Sequence, residues 1–123
     1  MTDKQFEQKE KELREEMNSQ GFGWIDGKYF KPPKEYQLKE KELSCISMIN
    51  SILTYGGFGY DAEAVMEREE KSYHNYLADY VNIFGRDKVI KFIQGQINSI
   101  KEIRYNVHTD SEGCSYNSIV WNE

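Results

Sequence analysis

Long apolar runs, cysteine and histidine are all scarce in this chain, and each shortage excludes a class of protein. No run approaches the ~18 consecutive apolar residues of a membrane-spanning helix. The start, MTDKQF, has neither the basic region nor the apolar stretch of a signal peptide. The sequence therefore predicts a cytoplasmic protein that has no membrane-spanning segment.

Only two cysteines occur, Cys45 in an apolar helical pattern and Cys114 near the end of the chain. They form no CxxC motif, and there is no second pair from which a disulfide framework could be built. We expect both to be structural thiols, with a disulfide between them or a nucleophilic role as the alternatives.

Histidine is equally scarce, and His74 and His108 are the only two. Neither stands in a recognisable arrangement with a serine or cysteine, so no pair of nucleophile and base is indicated. Glu70 and His74 are four residues apart, whereas di-iron helical bundles use Glu-x-x-His motifs on two helices. The sequence therefore predicts a protein that is not an enzyme and holds neither a metal nor another cofactor.

The composition predicts a folded domain with a modest core. Hydrophobic residues make up 38% of the chain, below the roughly 45–50% of typical globular proteins. Aromatic residues reach 14%, which argues against disorder because disordered chains lack large apolar groups. A length of 123 residues fits one domain, so we expect a single domain over 1–123.

The first element is predicted to be a charged helix within residues 1–20. Thr2 and Gln5 have the spacing of a capping box, and Gly21 is placed to end the helix after about Ser19. Its apolar stripe is thin and charged side chains fill the rest, so we expect this helix to pack loosely or to contact a partner. The stripe consists of Phe6, Leu13 and Met17.

Two β-hairpins are predicted. The first, at about 22–31, is indicated by the Asp26-Gly27 turn dipeptide, which would place Trp24 opposite Tyr29. The second, at about 104–121, is indicated by alternating polar and apolar residues on both sides of a polar loop.

Three more helices are predicted from apolar residues at helical spacing, at about 34–55, 62–84 and 87–103. In the third helix of the chain the core stripe would consist of Met66, Tyr73, Leu77, Tyr80 and Phe84, with Gly85 ending the helix. The predicted fold class is therefore α+β, with about four helices and two β-hairpins in one compact domain.

The glycine-rich segment YGGFGY at 55–60 shares its richness in glycine with phosphate-binding loops. It follows a helix instead of a strand, lacks the third glycine of a GxGxxG motif, and precedes a run of carboxylates. We interpret it as a turn between a Gly56 C-cap and an Asp61 N-cap.

Residues 86–104 carry five basic and two acidic side chains, but this face is short and belongs to an acidic protein, which argues against direct nucleic-acid binding.

The strongest functional signal is the acidic segment DAEAVMEREE at 61–70. It holds five carboxylates against the single base Arg68, and so carries four of the chain's five net negative charges. At ~100° per residue, Glu63, Glu67, Glu70 and His74 fall on one line beside the apolar stripe. We predict a binding surface for a basic protein, with a nearby tyrosine as an anchor. Its residues would be Asp61, Glu63, Glu67, Glu69, Glu70 and Tyr73.

The small size, the acidity, the composition rich in Lys, Asn, Ile and Tyr, and the closing stretch HTDSEGCSYNSIVWNE resemble accessory proteins of phages and mobile elements of low-GC Gram-positive bacteria. Anti-CRISPR proteins that inhibit the Cas9 nuclease belong to that group. The resemblance implies a protein-protein inhibitor, some of which place carboxylates where nucleic-acid phosphates would lie. The segment from Asp61 to Glu70 would then face Arg and Lys side chains of a CRISPR nuclease.

A second interpretation is a small regulatory or structural homodimeric module without a nuclease target. In that case the acidity serves only solubility, and the charged first helix makes the contact.

Overall fold

The structure is a computed structural model that describes residues 1–55, 61–109 and 115–122, except for the side chains of 105–109 and 115–117. The described elements are α1 (Asp3–Ser19), β1 (Gly23–Ile25), β2 (Lys28–Phe30), α2 (Lys34–Tyr55), α3 (Ala62–Lys71), α4 (Ala78–Phe84), α5 (Arg86–Asn98), β3 (Ile100–Thr109) and β4 (Ser115–Trp121). The strands form two separate antiparallel pairs, β1 with β2 and β3 with β4. This confirms a mixed α+β fold, with five described helices where the sequence predicts about four.

Helix α1 begins with the predicted capping box. Thr2 Oγ1 accepts a hydrogen bond from the Gln5 backbone N–H at 3.0 Å, and Gln5 Oε1 accepts one from the Thr2 N–H at 2.9 Å. The helix buries Met17 and is joined to α2 by a 3.4 Å hydrogen bond that the Tyr36 hydroxyl donates to Glu16. Two half-exposed residues, Phe6 and Leu13, complete its apolar side.

The first hairpin has the predicted register. Trp24 lies opposite Tyr29, and their rings are 5.4 Å apart. Asp26 and Gly27 have φ values of +50° and +78°, which is the pair of left-handed residues that a two-residue turn between twisted strands requires. The local turn sequence therefore determines this element.

The core is built around α2. Two consecutive prolines cannot continue a strand, and the Pro33 carbonyl instead accepts the first helical hydrogen bonds, from the N–H groups of Tyr36 and Gln37. The buried cluster joins α2 to α3, the start of α4 and α5. Its members are Cys45, Ile49, Leu53, Ala62, Val65, Met66, Leu77, Val89, Ile93 and Ile97.

The prediction of one helix over 62–84 is wrong, because α3 ends at Lys71 and α4 starts at Ala78. Ser72 is extended, with φ −73° and ψ 152°, and Asn75 Oδ1 accepts a hydrogen bond from the Leu77 N–H at 3.0 Å. Side chains such as asparagine compete in this way with the helical hydrogen bonds. The chain therefore leaves the helix for six residues.

This break changes the predicted core stripe. Leu77 is fully buried, as expected, but Tyr73 lies in the non-helical segment and is 96% exposed. Tyr73 is therefore a surface residue, and its assignment to the core was wrong.

The second hairpin is present, but β3 begins at Ile100, where the sequence predicts that the last helix continues to about 103. Ile100 pairs with Trp121, Ile103 pairs with Ile119, and the Asn122 N–H donates to the Ser99 carbonyl at 2.8 Å. Pairing with β4 therefore overrides the local helical pattern. Among the described residues, the helices are all too short or too polar to cross a bilayer.

Candidate protein-binding surface

Asp61 is the N-cap of α3. Its Oδ1 accepts a hydrogen bond from the Glu63 N–H at 3.0 Å, and its own backbone is extended. A carboxylate at this position satisfies a backbone donor and interacts favourably with the positive end of the helix dipole. This structural role agrees with the cap expected from the sequence and accounts for the first charge of the acidic segment.

One side of α3 is buried, and the acidic residues divide between its two sides. Val65 and Met66 face the core. Glu63, Glu67 and Glu70 are exposed and follow one another at spacings of four and three, so they share one exposed flank of the helix. We call these three residues the α3 acidic strip.

Arg86, the first residue of α5, lies against the α3 acidic strip. Its Nε and Nη2 atoms donate to both oxygens of Glu70, with distances of 3.0 to 3.3 Å. These hydrogen bonds hold the pKa of Glu70 below its usual value, while Glu70, then Glu63 and Glu67, raise the pKa of Arg86. Three carboxylates beside one guanidinium leave two net negative charges on the α3 acidic strip.

Because the pKa of Glu70 is lowered in the folded protein, the ion pair stabilises the fold above the ordinary carboxyl pKa. That contribution is lost as the pH falls through the lowered pKa. Both side chains are well exposed, so the pair serves mainly to set the charge of this surface.

Glu69 is separated from the other carboxylates. Only 8% of the residue is exposed, and its Oε1 accepts a hydrogen bond from the Tyr76 N–H at 3.2 Å. The sequence places Glu69 in the predicted binding surface, but the structure turns it inward from the exposed flank. It therefore contributes little to the charge that an approaching partner would meet on that flank.

Tyr73 follows the α3 acidic strip in the chain and is almost fully exposed. Its ring contacts His74 edge-on, with 4.7 Å between the ring centroids. Since His74 lies beyond the end of α3, it does not continue the line of Glu63, Glu67 and Glu70. In the described part of the chain, no three His, Cys, Asp or Glu side chains are grouped so that they could hold a metal ion.

A groove that the sequence analysis missed lies between α2 and the segment after α3. Its volume is about 360 Å³, and we call it the tyrosine groove. It is lined by Met48, Ser51, Ile52, Tyr55, Glu69 and Tyr76. In the sequence, Met48, Ile52 and Tyr55 have the spacing of a second apolar stripe on α2, beside the stripe that faces the core. This second stripe is the signal from which the groove could have been predicted.

A second groove, of about 420 Å³, lies between the first hairpin, α1 and α2, and we call it the hairpin groove. Trp24 and Tyr29 line its outer side, with Met17 and Leu43 among the helical residues opposite. Trp24 is 69% exposed, and Phe30 at the end of β2 is exposed as well. Such a concentration of aromatic side chains at the surface is typical of a contact region.

Cys45 has no accessible surface, and burial, assisted by the nearby Glu42 carboxylate, raises the pKa of its thiol to about 12. The thiol is therefore protonated at neutral pH and cannot act as a thiolate nucleophile.

The predictions made for Cys114, for Gly56 and for the other glycines of YGGFGY lie outside the described residues, as does the side chain of His108.

Three exposed surfaces thus stand out in the described ranges: the α3 acidic strip, the tyrosine groove and the hairpin groove. Each presents charged or aromatic side chains at the surface, as protein-binding surfaces do. Comparison of the chain with known proteins finds no matching family model, no matching curated protein and no matching solved structure.

Proposed function

We propose that the protein is a non-catalytic binding module that docks the α3 acidic strip on a basic protein partner. The proposed partner surface is the nucleic-acid-binding region of a CRISPR nuclease in the cytoplasm of a bacterial host cell. In this role the protein is a counter-defence inhibitor encoded by a phage or a mobile element.

The observation that carries the proposal is the state of Glu63 and Glu67. Both are exposed, and within the described residues neither side chain forms a salt bridge. They lie one helical turn apart, about 5.4 Å along the axis, on a helix whose opposite side is buried in the core. Two fixed carboxylates at this spacing can accept hydrogen bonds from Arg and Lys side chains that otherwise contact phosphates.

Tyr73 supplies the second element of the proposed interface. An exposed tyrosine offers a large apolar ring and a hydroxyl, and it loses little rotamer entropy when a partner covers it. Tyr73 comes three residues after Glu70 in the chain and is 96% exposed, so we assign it to the edge of the proposed interface.

Charge reversal tests the proposal. Replacing Glu63 and Glu67 by lysine should weaken inhibition of DNA cleavage by a purified Cas9-type nuclease about a hundredfold, because like charges then face each other. Inhibition by the wild type should also weaken toward ~0.5 M salt, where exposed charges are screened. Glu70 is left unchanged so that its ion pair with Arg86 remains.

The matched control carries the same change in charge on α1, as Glu7→Lys with Glu12→Lys, both at exposed positions. It should inhibit as the wild type does. Equal loss in the control, or a wild-type protein that inhibits no such nuclease, would contradict the proposal.

A second candidate function, a small regulatory or structural homodimer, is favoured by the hairpin groove. Trp24, Tyr29 and Phe30 are all exposed on a hairpin of only three residues per strand, and a second copy would cover them. Sedimentation velocity at increasing concentration should then show a dimer that Trp24→Ser abolishes and Tyr73→Ser does not. A monomer at all concentrations excludes this candidate.

A further inference from the structure

Glu69 is the one buried glutamate among the described residues, and it lines a groove instead of a closed core. Moving a carboxylate out of water is costly unless hydrogen bonds or a positive charge compensate. Here the Tyr76 N–H donates to Oε1 at 3.2 Å, and no salt bridge reaches Glu69 within the described residues. The second carboxylate oxygen of Glu69 has no partner among the described residues and is not enclosed by them, so it is open to the groove.

The walls of the tyrosine groove determine which chemical group can pair with the Glu69 carboxylate. Tyr55 and Tyr76 are large exposed rings, and Met48 and Ile52 contribute apolar surface between them. An anion would be repelled by Glu69, and a purely apolar side chain would cover the carboxylate without pairing it, at a cost in free energy. The groove therefore selects a group that is both positively charged and able to lie against aromatic and apolar surface.

Among protein side chains, the arginine guanidinium meets both conditions best. It is planar, stacks on aromatic faces, is weakly hydrated and pairs with carboxylates through parallel hydrogen bonds. The lysine ammonium is a strongly hydrated point charge, so it loses more hydration on entering an apolar groove.

We propose that the tyrosine groove binds an arginine side chain of the basic partner, with Glu69 accepting hydrogen bonds from the guanidinium and the ring of Tyr76 lying beside it. This inference rests on the proposed function and makes it more specific. The α3 acidic strip attracts a basic surface, and the tyrosine groove selects one arginine on it.

The experiment is an NMR titration of the full chain with Nα-acetyl-arginine amide. Saturable shifts are expected at the backbone amides of Glu69 and Tyr76. Binding of the neutral isostere Nα-acetyl-citrulline amide should be weaker by about tenfold or more, because it lacks the charge that pairs with the carboxylate. The corresponding lysine amide should also bind more weakly.

Matched variants locate the site. Glu69→Gln keeps an oxygen that can accept the Tyr76 N–H but removes the charge, and it should lose the preference for arginine over citrulline. Glu67→Gln, which makes the same change on the exposed flank of α3, should keep it. Tyr76→Leu should weaken binding, whereas Tyr73→Leu should not, and thermal melts of all four variants establish that they are folded.

Equal binding of citrulline or lysine amide, equal loss in Glu67→Gln, or the absence of saturable shifts at Glu69 and Tyr76 would overturn the inference. Its failure is distinguishable from failure of the proposed function. Arginine binding without nuclease inhibition would contradict only the proposed function, whereas inhibition that Glu69→Gln leaves unchanged would contradict only the role of the tyrosine groove.

Discussion

Leu77→Ala is expected to lower the free energy of unfolding by about 2–5 kcal/mol. Leu77 has no accessible surface and belongs to the cluster that joins α2, α3 and α5. Removing its side chain takes away apolar contacts and leaves a cavity that the helices around it cannot close fully. Urea denaturation followed by circular dichroism measures this loss.

The matched control for this prediction is Ile83→Ala. Ile83 lies on α4, close to Leu77 in the chain, but it is 41% exposed. We expect it to cost less than about 1 kcal/mol. A comparable loss at the two positions would show that Leu77 is not part of the core.

Gly85→Ala is expected to cost about 1–3 kcal/mol through backbone strain alone. Gly85 is both the C-cap of α4 and the N-cap of α5, with φ +88° and ψ 153°, a region essentially restricted to glycine. A Cβ at this position would meet no atom within 4 Å, so steric overlap with neighbours does not contribute. The shift in the midpoint of thermal unfolding measures the strain.

Gly95→Ala is the control for Gly85→Ala, and it should raise the free energy of unfolding instead of lowering it. Gly95 lies inside α5, and a Cβ there also has open space around it. Alanine is favoured over glycine in a helix by about 0.5–1 kcal/mol. Stabilisation by Gly85→Ala, or equal effects of the two substitutions, would contradict the role of Gly85 in the turn between α4 and α5.

The elements that could be predicted from the sequence are those determined by neighbouring residues. The capping box of Thr2 and Gln5 and the turn at Asp26 and Gly27 depend on contacts within four residues, so local rules were sufficient. The start of α2 after Pro33 is of the same kind.

The predictions that failed depend on contacts from further along the chain. The break between α3 and α4 involves a hydrogen bond from the Tyr76 N–H to Glu69, seven residues earlier. The early start of β3 depends on pairing between Ile100 and Trp121. Apolar spacing alone favoured helix at both places, because it records which side of a segment is buried and not what that segment pairs with.

The candidate site was predicted in part. The alignment of Glu63, Glu67 and Glu70 on one exposed flank follows from helical geometry and agrees with the structure. The inward position of Glu69 and the pairing of Glu70 with Arg86 do not follow from it, since Arg86 is sixteen residues away. The tyrosine groove was missed because its walls come from two separate parts of the chain.

The contact between Arg86 and Glu70 has a consequence for selectivity. A basic partner that approaches the α3 acidic strip meets one carboxylate that already holds a guanidinium through both of its oxygens. Binding to Glu70 replaces Arg86 by a positive side chain of the partner. A partner that offers only one positive charge gains little binding free energy from this replacement. In the proposed interface, only a partner that also pairs with Glu63 and Glu67 would offset the release of Arg86, so Arg86 would discriminate against weakly basic proteins.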